Sequence, residues 1–505
     1  MGLSSFDGLL NGFSVVLGAQ NLFICFLGVL MGTLVGVLPG LGPVGAISLL
    51  LPFTYNMDAT GALILLAGIY YGSMYGGSTT SILVNVPGEA ASVITCIDGH
   101  QMAKKGKAGP ALSISAIGSF IAGTLGVVFI MFLAPPLAKM ALRFGPPEYF
   151  CIALLGLLIL TRLTGRDNVK SYAMMFIGVA LATIGIDPIS GVPRFTYGSQ
   201  ALIQGLDFIP VIMGLYGISE VIESAEDIFI KRELIGFKFR ELLPSKQDFQ
   251  KSAGPITRAS IVGFLIGLIP GPANIISTFV SYGIEKKVSK HPEEFGEGAI
   301  EGVAGPETAN NAASCGALVP LLSLGVPFSP LPAVLLGAFM LHNIIPGPML
   351  IVEHPGVFWG LIASMYVGNV MLLILNLPLV GLFAQVTRIK ERFLMPAVII
   401  FCVLGAFSVR NSVFDLYILV IFGILGYIFR KCGYDAAPLA LGMVVGPMME
   451  DGFCQAAMIF QGDFTKFLAR PLSATMIGFC LIIVLGPLAR KAINRFNPKK
   501  LSKVA

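Results

Sequence analysis

Apolar residues fall in long runs, broken by short polar turns and by glycine and proline. In the first half the runs lie near 14–38, 43–53, 59–75, 110–133, 148–164, 171–186 and 201–222. A polar, charged stretch follows from Glu223 to Arg258. In the second half the runs lie near 256–270, 273–283, 302–322, 331–341, 356–385, 394–409, 413–430, 434–450 and 472–490. A bilayer core takes about 20 apolar residues per helix, so most of these runs predict membrane spans. The runs 43–53, 273–283 and 331–341 are too short to cross and predict half or re-entrant helices. The expected fold is an all-α polytopic membrane protein with roughly 10–12 transmembrane helices plus half helices.

One interrupted pattern occurs twice. G-V-L-P-G-L-G-P spans Gly36 to Pro43, and G-L-I-P-G-P spans Gly267 to Pro272. Each is followed by a second interrupted stretch, Tyr75 to Gly88 in the first half and Ala309 to Pro327 in the second. Pro39 and Pro270 stand 231 positions apart, and Pro87 and Pro327 stand 240 apart. Glycine- and proline-interrupted segments at matching places in two halves point to the internal repeats of a secondary transporter, with its site at the breaks. The alternative is two ordinary loops between full helices.

Composition agrees with a membrane protein. Hydrophobic residues make up 55% of the chain and charged residues only 12%, with a mean hydropathy of +0.83. A soluble domain carries about 25% charged residues, so too little polar surface remains to cover a globule in water. The 60 glycines and 32 prolines suit close-packed and interrupted membrane helices. A net charge of +5 sits in a few loops and gives no reason to expect nucleic acid. Eight scattered cysteines without a C-x-x-C pair, and four dispersed histidines, suggest packing and no metal centre. The N-terminus lacks a basic n-region, so the first run reads as a span and not as a cleaved signal.

Basic residues set the expected orientation. Lys104, Lys105 and Lys107, the central stretch, Lys286, Lys287 and Lys290, Arg388, Lys390 and Arg392, and the tail from Arg490 all suit the cytoplasm. Lys139, Arg143, Arg194, Arg410, Lys466 and Arg470 are exceptions. This places the N-terminus in the periplasm and the C-terminus in the cytoplasm. It also gives the two copies opposite topology, an inverted repeat with halves 1–235 and 256–505 around a cytoplasmic linker 236–255.

The polar residues near the breaks are mostly neutral. They are Ser78, Thr79, Thr80, Ser81 and Asn85 in the first half, and Asn274, Ser277, Thr278, Thr308, Asn310, Asn311, Ser314 and Ser323 in the second. Hydroxyls and amides bind a carboxylate by donation and an alkali cation by acceptance. They also serve as ordinary glue between membrane helices. Glu307 reads either as a functional membrane carboxylate or as an acid at a helix start. Glu89 reads as a gate residue or, preferably, as a plain loop acid; Asp207, Glu220 and Asp415 read as interfacial. Neither interrupted region contains Lys or Arg. A bound anion there would be balanced by half-helix N-termini and a co-bound cation, with Na⁺ expected near Asn310, Asn311 and Ser314. No H-E-x-x-H, G-x-S-x-G or Walker A motif occurs, and Tyr434-Asp435 lacks the second aspartate of an intramembrane protease. A non-enzyme without organic cofactor, driven by an ion gradient, is the expectation.

The stretches G-V-L-P-G-L-G-P-V-G-A-I-S-L-L-L-P-F-T-Y, Y-G-G-S-T-T-S-I-L-V-N-V-P-G-E and G-P-E-T-A-N-N-A-A-S-C-G-A-L-V-P-L-L-S-L-G-V-P resemble the large membrane subunit (TctA) of the tripartite tricarboxylate transporters. The likeness runs over nearly the whole chain. It implies a multi-pass protein of the bacterial inner membrane that takes up carboxylates by symport with Na⁺ or H⁺. It further implies a small four-helix membrane subunit and a periplasmic solute-binding protein as partners. It also implies that the glycine-rich motifs, including Gly40 and Gly42, line the pathway with Ser78 to Ser81, Asn310 and Asn311. A passive carboxylate channel, an exporter of the same architecture and a membrane-embedded enzyme stay open as alternatives.

Overall fold

The computed structural model describes residues 5–38, 42–164, 168–187, 190–226, 242–386 and 391–496. Pro39 and Gly40 lie outside the described residues, as do most of the central basic stretch and the last residues of the tail. The described chain is helical throughout, apart from one two-residue ladder that pairs Gly185–Ile186 with Pro193–Arg194. It forms two compact units. The first joins Met1–Ala141 to Asp207–Gly433, and the second joins Leu142–Leu206 to Tyr434–Ala505.

Eleven helices of the first unit carry the argument. They are α1 (Ala19–Val37), α2 (Gly42–Leu50), α3 (Ala59–Val84), α4 (Val93–Lys104), α5 (Ala108–Ala141), α6 (Lys246–Gly267), α7 (Ala273–Val288), α8 (Glu301–Leu324), α9 (Pro330–Leu341), α10 (Pro355–Asn376) and α11 (Val413–Lys431). Three pairs dominate, α1 with α3, α5 with α8 and α6 with α8. Small residues set the close approach in the first and the last. A Cβ on Gly76 would lie 2.4 Å from the Thr33 carbonyl oxygen, and one on Gly316 would lie 2.3 Å from that of Phe264. Lipid tails give helices no hydrophobic reason to associate, so close backbone approach at small residues supplies the packing.

Local chemistry sets the helix ends. Asp58 caps α3 by accepting from the Gly61 N–H at 2.9 Å. A capping box between Ser245 and Asp248 starts α6. Asn85, in the left-handed region at φ 57°, ends α3, and Gly325, at φ 75°, ends α8. Between α6 and α7 the chain turns through Gly271, whose N–H donates to the Phe328 carbonyl at 2.8 Å.

Several boundaries differ from the sequence reading. The run expected at 59–75 continues to Val84, so Ser78 to Ser81 lie inside a helix and the break falls at Asn85. Pro306 and Pro320 do not break α8, which starts at Glu301; Glu307 therefore does not start a helix. Membrane helices tolerate interior proline where neighbours take up the freed backbone groups. The apolar run 356–385 divides into α10 and a short helix, Val380–Val386. The polar stretch 223–258 already contains the first turns of α6.

Among the described residues, α1, α5, α10 and α11 are long and apolar enough to cross a bilayer by length and composition alone. Helices α3 and α8 have 26 and 24 residues but carry serine, threonine, asparagine and glycine. Every residue of α8 from Gly302 to Ser323 is buried, so its polar groups face protein and not lipid. The apolar faces of α1, α5 and α11 expose Phe23, Phe26, Phe132, Val420, Ile421 and Ile424 instead. In the second unit, Ala437–Ile459 packs against Pro146–Thr164 and Asn168–Ala182. Its buried carboxylate Glu148 accepts from Ser473 at 2.8 Å and pairs with Arg470 at 2.7 Å.

Candidate functional site

The first unit contains a partly open cavity of about 250 Å³. Three helices open their first turns onto it: α2 through Gly42 to Gly45, α7 through Ala273 to Ile275, and α9 through Pro330 and Leu331. The turn Ala90–Ala91, just before α4, closes a further side. A helix N-terminus carries N–H groups without intrahelical partners and about half a unit of positive charge, although Pro43, Pro330 and Pro332 have no N–H and the Ala273 N–H donates to the Gly271 carbonyl at 2.8 Å. Glycine or proline precedes or opens each of these first turns, so the sequence stops one helix and starts another at the cavity.

Polar side chains complete the wall. Asn274 lies at the first turn of α7. Its Nδ2 donates to the Asn310 Oδ1 at 2.8 Å, the Asn310 carbonyl at 3.0 Å and the Ser314 Oγ at 2.7 Å. The N-cap residue of α9, Ser329, is 5% exposed, and its Oγ has no hydrogen-bond partner among the described residues. Glu89 is 7% exposed and accepts from the Asn310 Nδ2 and, through a capping box, from the Ser92 backbone N–H. Tyr216, Glu220 and Arg430 form the remaining polar wall, and Arg430 pairs with Glu220 and with Glu223.

Behind this wall lies a buried polar layer between α3, α4, α5 and α8. Ser78 and Thr95 both donate to the Glu307 carboxylate. Asn311 donates to the Ser119 Oγ at 2.7 Å and to the Glu307 carbonyl at 3.2 Å. Ser81 donates to the Ser92 Oγ and to the Gly77 carbonyl, both at 3.0 Å, and Thr80 donates to the Gly77 carbonyl at 3.1 Å.

The residues singled out from sequence therefore separate into groups. Gly42 and Asn274 line the cavity. Asn310 and Ser314 stand one bond behind Asn274. Ser78, Thr79, Thr80, Ser81, Glu307 and Asn311 are buried in the layer behind. Asn85 is exposed at the end of α3, away from the cavity lining. Gly40 lies outside the described residues.

Sequence reasoning preferred a plain loop acid for Glu89, which lines the cavity, and missed Ser329 and Arg430. Glu89 and Ser329 carried a usable signal, since each stands at a break just before a helix starts. Arg430 sits in the last turn of α11, far from both repeated motifs, and no local pattern ties it to them. Glu220, read as interfacial, lines the cavity.

The pattern of the Tripartite tricarboxylate transporter TctA family matches residues 22–441 of this chain. A protein of Agrobacterium vitis described as "Uncharacterized 52.8 kDa protein in TAR-I ttuC' 3'region" is 45% identical over 482 residues, which cover 95% of this chain and 96% of that protein. A second Agrobacterium vitis protein, "Uncharacterized protein in TAR-II ttuC' 3'region", is 47% identical over 231 residues, covering 45% of this chain and 96% of its own length. No solved structure matches.

Proposed function

The chain belongs to the tripartite tricarboxylate transporter TctA family, and from that premise we propose that its cavity binds the carboxylate groups of an organic di- or tricarboxylate during uptake. A Na⁺ or H⁺ gradient drives the step, and a periplasmic binding protein delivers the substrate. The small membrane subunit of the tripartite system sits beside this chain in the inner membrane, with the C-terminal tail in the cytoplasm.

One observation carries the reading: three helix N-termini and the partnerless Ser329 hydroxyl meet at one cavity. Such termini form ready-made anion sites, and a buried hydroxyl without a partner is costly unless a ligand completes it. The two stretches that share the interrupted motif, 36–53 and 267–283, both send a first turn to this cavity. That supports two related halves meeting around a single site, the arrangement expected of secondary transporters. The buried layer of hydroxyls and amides on α3 and α8 supports the cavity wall and holds α8 in place.

Uptake into proteoliposomes tests the proposal. The chain, its small subunit and the binding protein are reconstituted, and a Na⁺ or H⁺ gradient is imposed. Citrate or succinate is expected to accumulate only with a gradient. Asn274→Ala removes the side chain that ties the first turn of α7 to Asn310 and Ser314 and costs about 0.7–2 kcal/mol, roughly a three- to thirtyfold loss of uptake at limiting substrate. Gradient-independent equilibration would make the protein a channel, and unchanged uptake by Asn274→Ala would remove Asn274 from the site.

A further inference from the structure

The charged side chains lining the cavity carry a net negative charge beside the proposed anion site. Glu89 and Glu220 both line it, while Arg430, the one basic residue on the wall, is already matched by Glu220 and Glu223. Glu89 has no ion-pair partner among the described residues. An ionised Glu89 and a bound carboxylate would face each other across a space of about 250 Å³, where like charges repel.

We propose that Glu89 is the proton-coupling group of this transporter: it takes up one proton as the carboxylate substrate enters the cavity and releases it when the substrate leaves. The inference rests on the reading of the cavity as the carboxylate site. A proton from the outer medium binds one Glu89 oxygen. That oxygen then donates to the substrate carboxylate, while Oε1 still accepts from Asn310. On the inner side the substrate departs, Glu89 ionises again, and the proton enters the cytoplasm. Glu89 accounts for one proton per anion, with no redox step; the remaining charge of a di- or tricarboxylate is balanced by further co-transported cations.

The surroundings favour a proton over a metal cation at this position. The groups bonded to the Glu89 carboxylate are N–H donors, from the Asn310 amide and the Ser92 backbone. A Na⁺ ion needs a cage of oxygen acceptors, and Asn274 already directs its Nδ2 at the nearby oxygens of Asn310 and Ser314. Charged and titratable groups face Glu89 from several sides. Glu307 is on α8, Tyr70 on α3, and Tyr216, Glu220 and Arg430 on the opposite cavity wall. From α7 the neutral Asn274 faces the same cavity. Of these, Glu307 lies behind the wall with its carboxylate bonded to Ser78 and Thr95, and Glu220 is engaged by Arg430. Glu89 alone combines a place on the wall with the absence of a cationic partner among the described residues.

Titration calorimetry on the full chain in nanodiscs, in Na⁺-free medium between pH 7.5 and 8.5, tests this. The probes are citrate and succinate, both fully ionised there, each measured in two buffers of different protonation enthalpy. Proton uptake per probe bound is expected to rise across this range toward one, with affinity falling by up to tenfold per pH unit as pH rises. Glu89→Gln, which mimics the protonated acid, is expected to bind with no proton uptake and no pH slope. Wild-type binding without proton uptake, binding that needs Na⁺ instead, or a Glu89→Gln protein that keeps the pH slope would each overturn the proposal. If the variant fails to fold, the wild-type proton count decides alone. If neither probe binds, the carboxylate reading of the cavity falls, and this inference falls with it.

Discussion

Asn310 shows what one side chain does in a membrane interior. Its amide donates to Glu89 and accepts from Asn274, so it links the cavity wall to the buried layer on α8. The Asn310-Asn311 pair was legible in the sequence because two amides in an apolar stretch need partners. The partners were not legible, since Glu89 and Ser119 lie on other elements. Glu307 was legible as an unusual membrane acid, but its place was not. The sequence allowed a helix start, whereas the structure buries it in the second turn of a helix that begins at Glu301. Two expectations follow at this scale. Glu307→Ala strands the Ser78 and Thr95 hydroxyls and costs about 1–3 kcal/mol, read as a lower thermal midpoint in detergent. Glu307→Gln, which still accepts from them, recovers most of that midpoint. A full-strength midpoint for Glu307→Ala would show that the layer contributes nothing to stability.

Helices α6 and α8 show how the elements are held. Gly263 and Gly267 meet Ala309, Ala313 and Gly316, and the backbones touch. Gly316→Val forces the helices apart and is expected to cost about 1–3 kcal/mol. Gly283, on α7, offers the contrast, because a Cβ there would meet nothing within 4 Å. Gly283→Ala is expected to stabilise by about 0.5–1 kcal/mol through helix propensity. Thermal midpoints of the two variants should move in opposite directions, and equal shifts would contradict the packing account. The breaks at Gly267–Pro272 and after Pro327 were readable, because glycine and proline mark them directly. The continuity of α3 through Ser78 to Ser81 was not. A polar run inside a buried helix looks like a turn when its neighbours are unknown, and its hydroxyls are satisfied only by the helix backbone and adjacent elements.

For the molecule as a whole, hydropathy and basic loops made the all-α multi-pass class legible. The repeated motif led to a division into halves at 1–235 and 256–505, whereas compactness joins 142–206 to 434–505 as a separate unit. The two divisions describe different things, repetition along the chain and packing in space. Only the first leaves a local signature. The same limit explains Arg430, which reaches the cavity from a helix beyond both motifs. If the first turns of α2, α7 and α9 together hold the substrate carboxylates, a structure of the chain in nanodiscs at saturating citrate will show citrate density in the cavity, beside Asn274 and within hydrogen-bond reach of Ser329 and the first-turn N–H groups of α2 and α7. Citrate density elsewhere, with this cavity empty at saturating citrate, would contradict it.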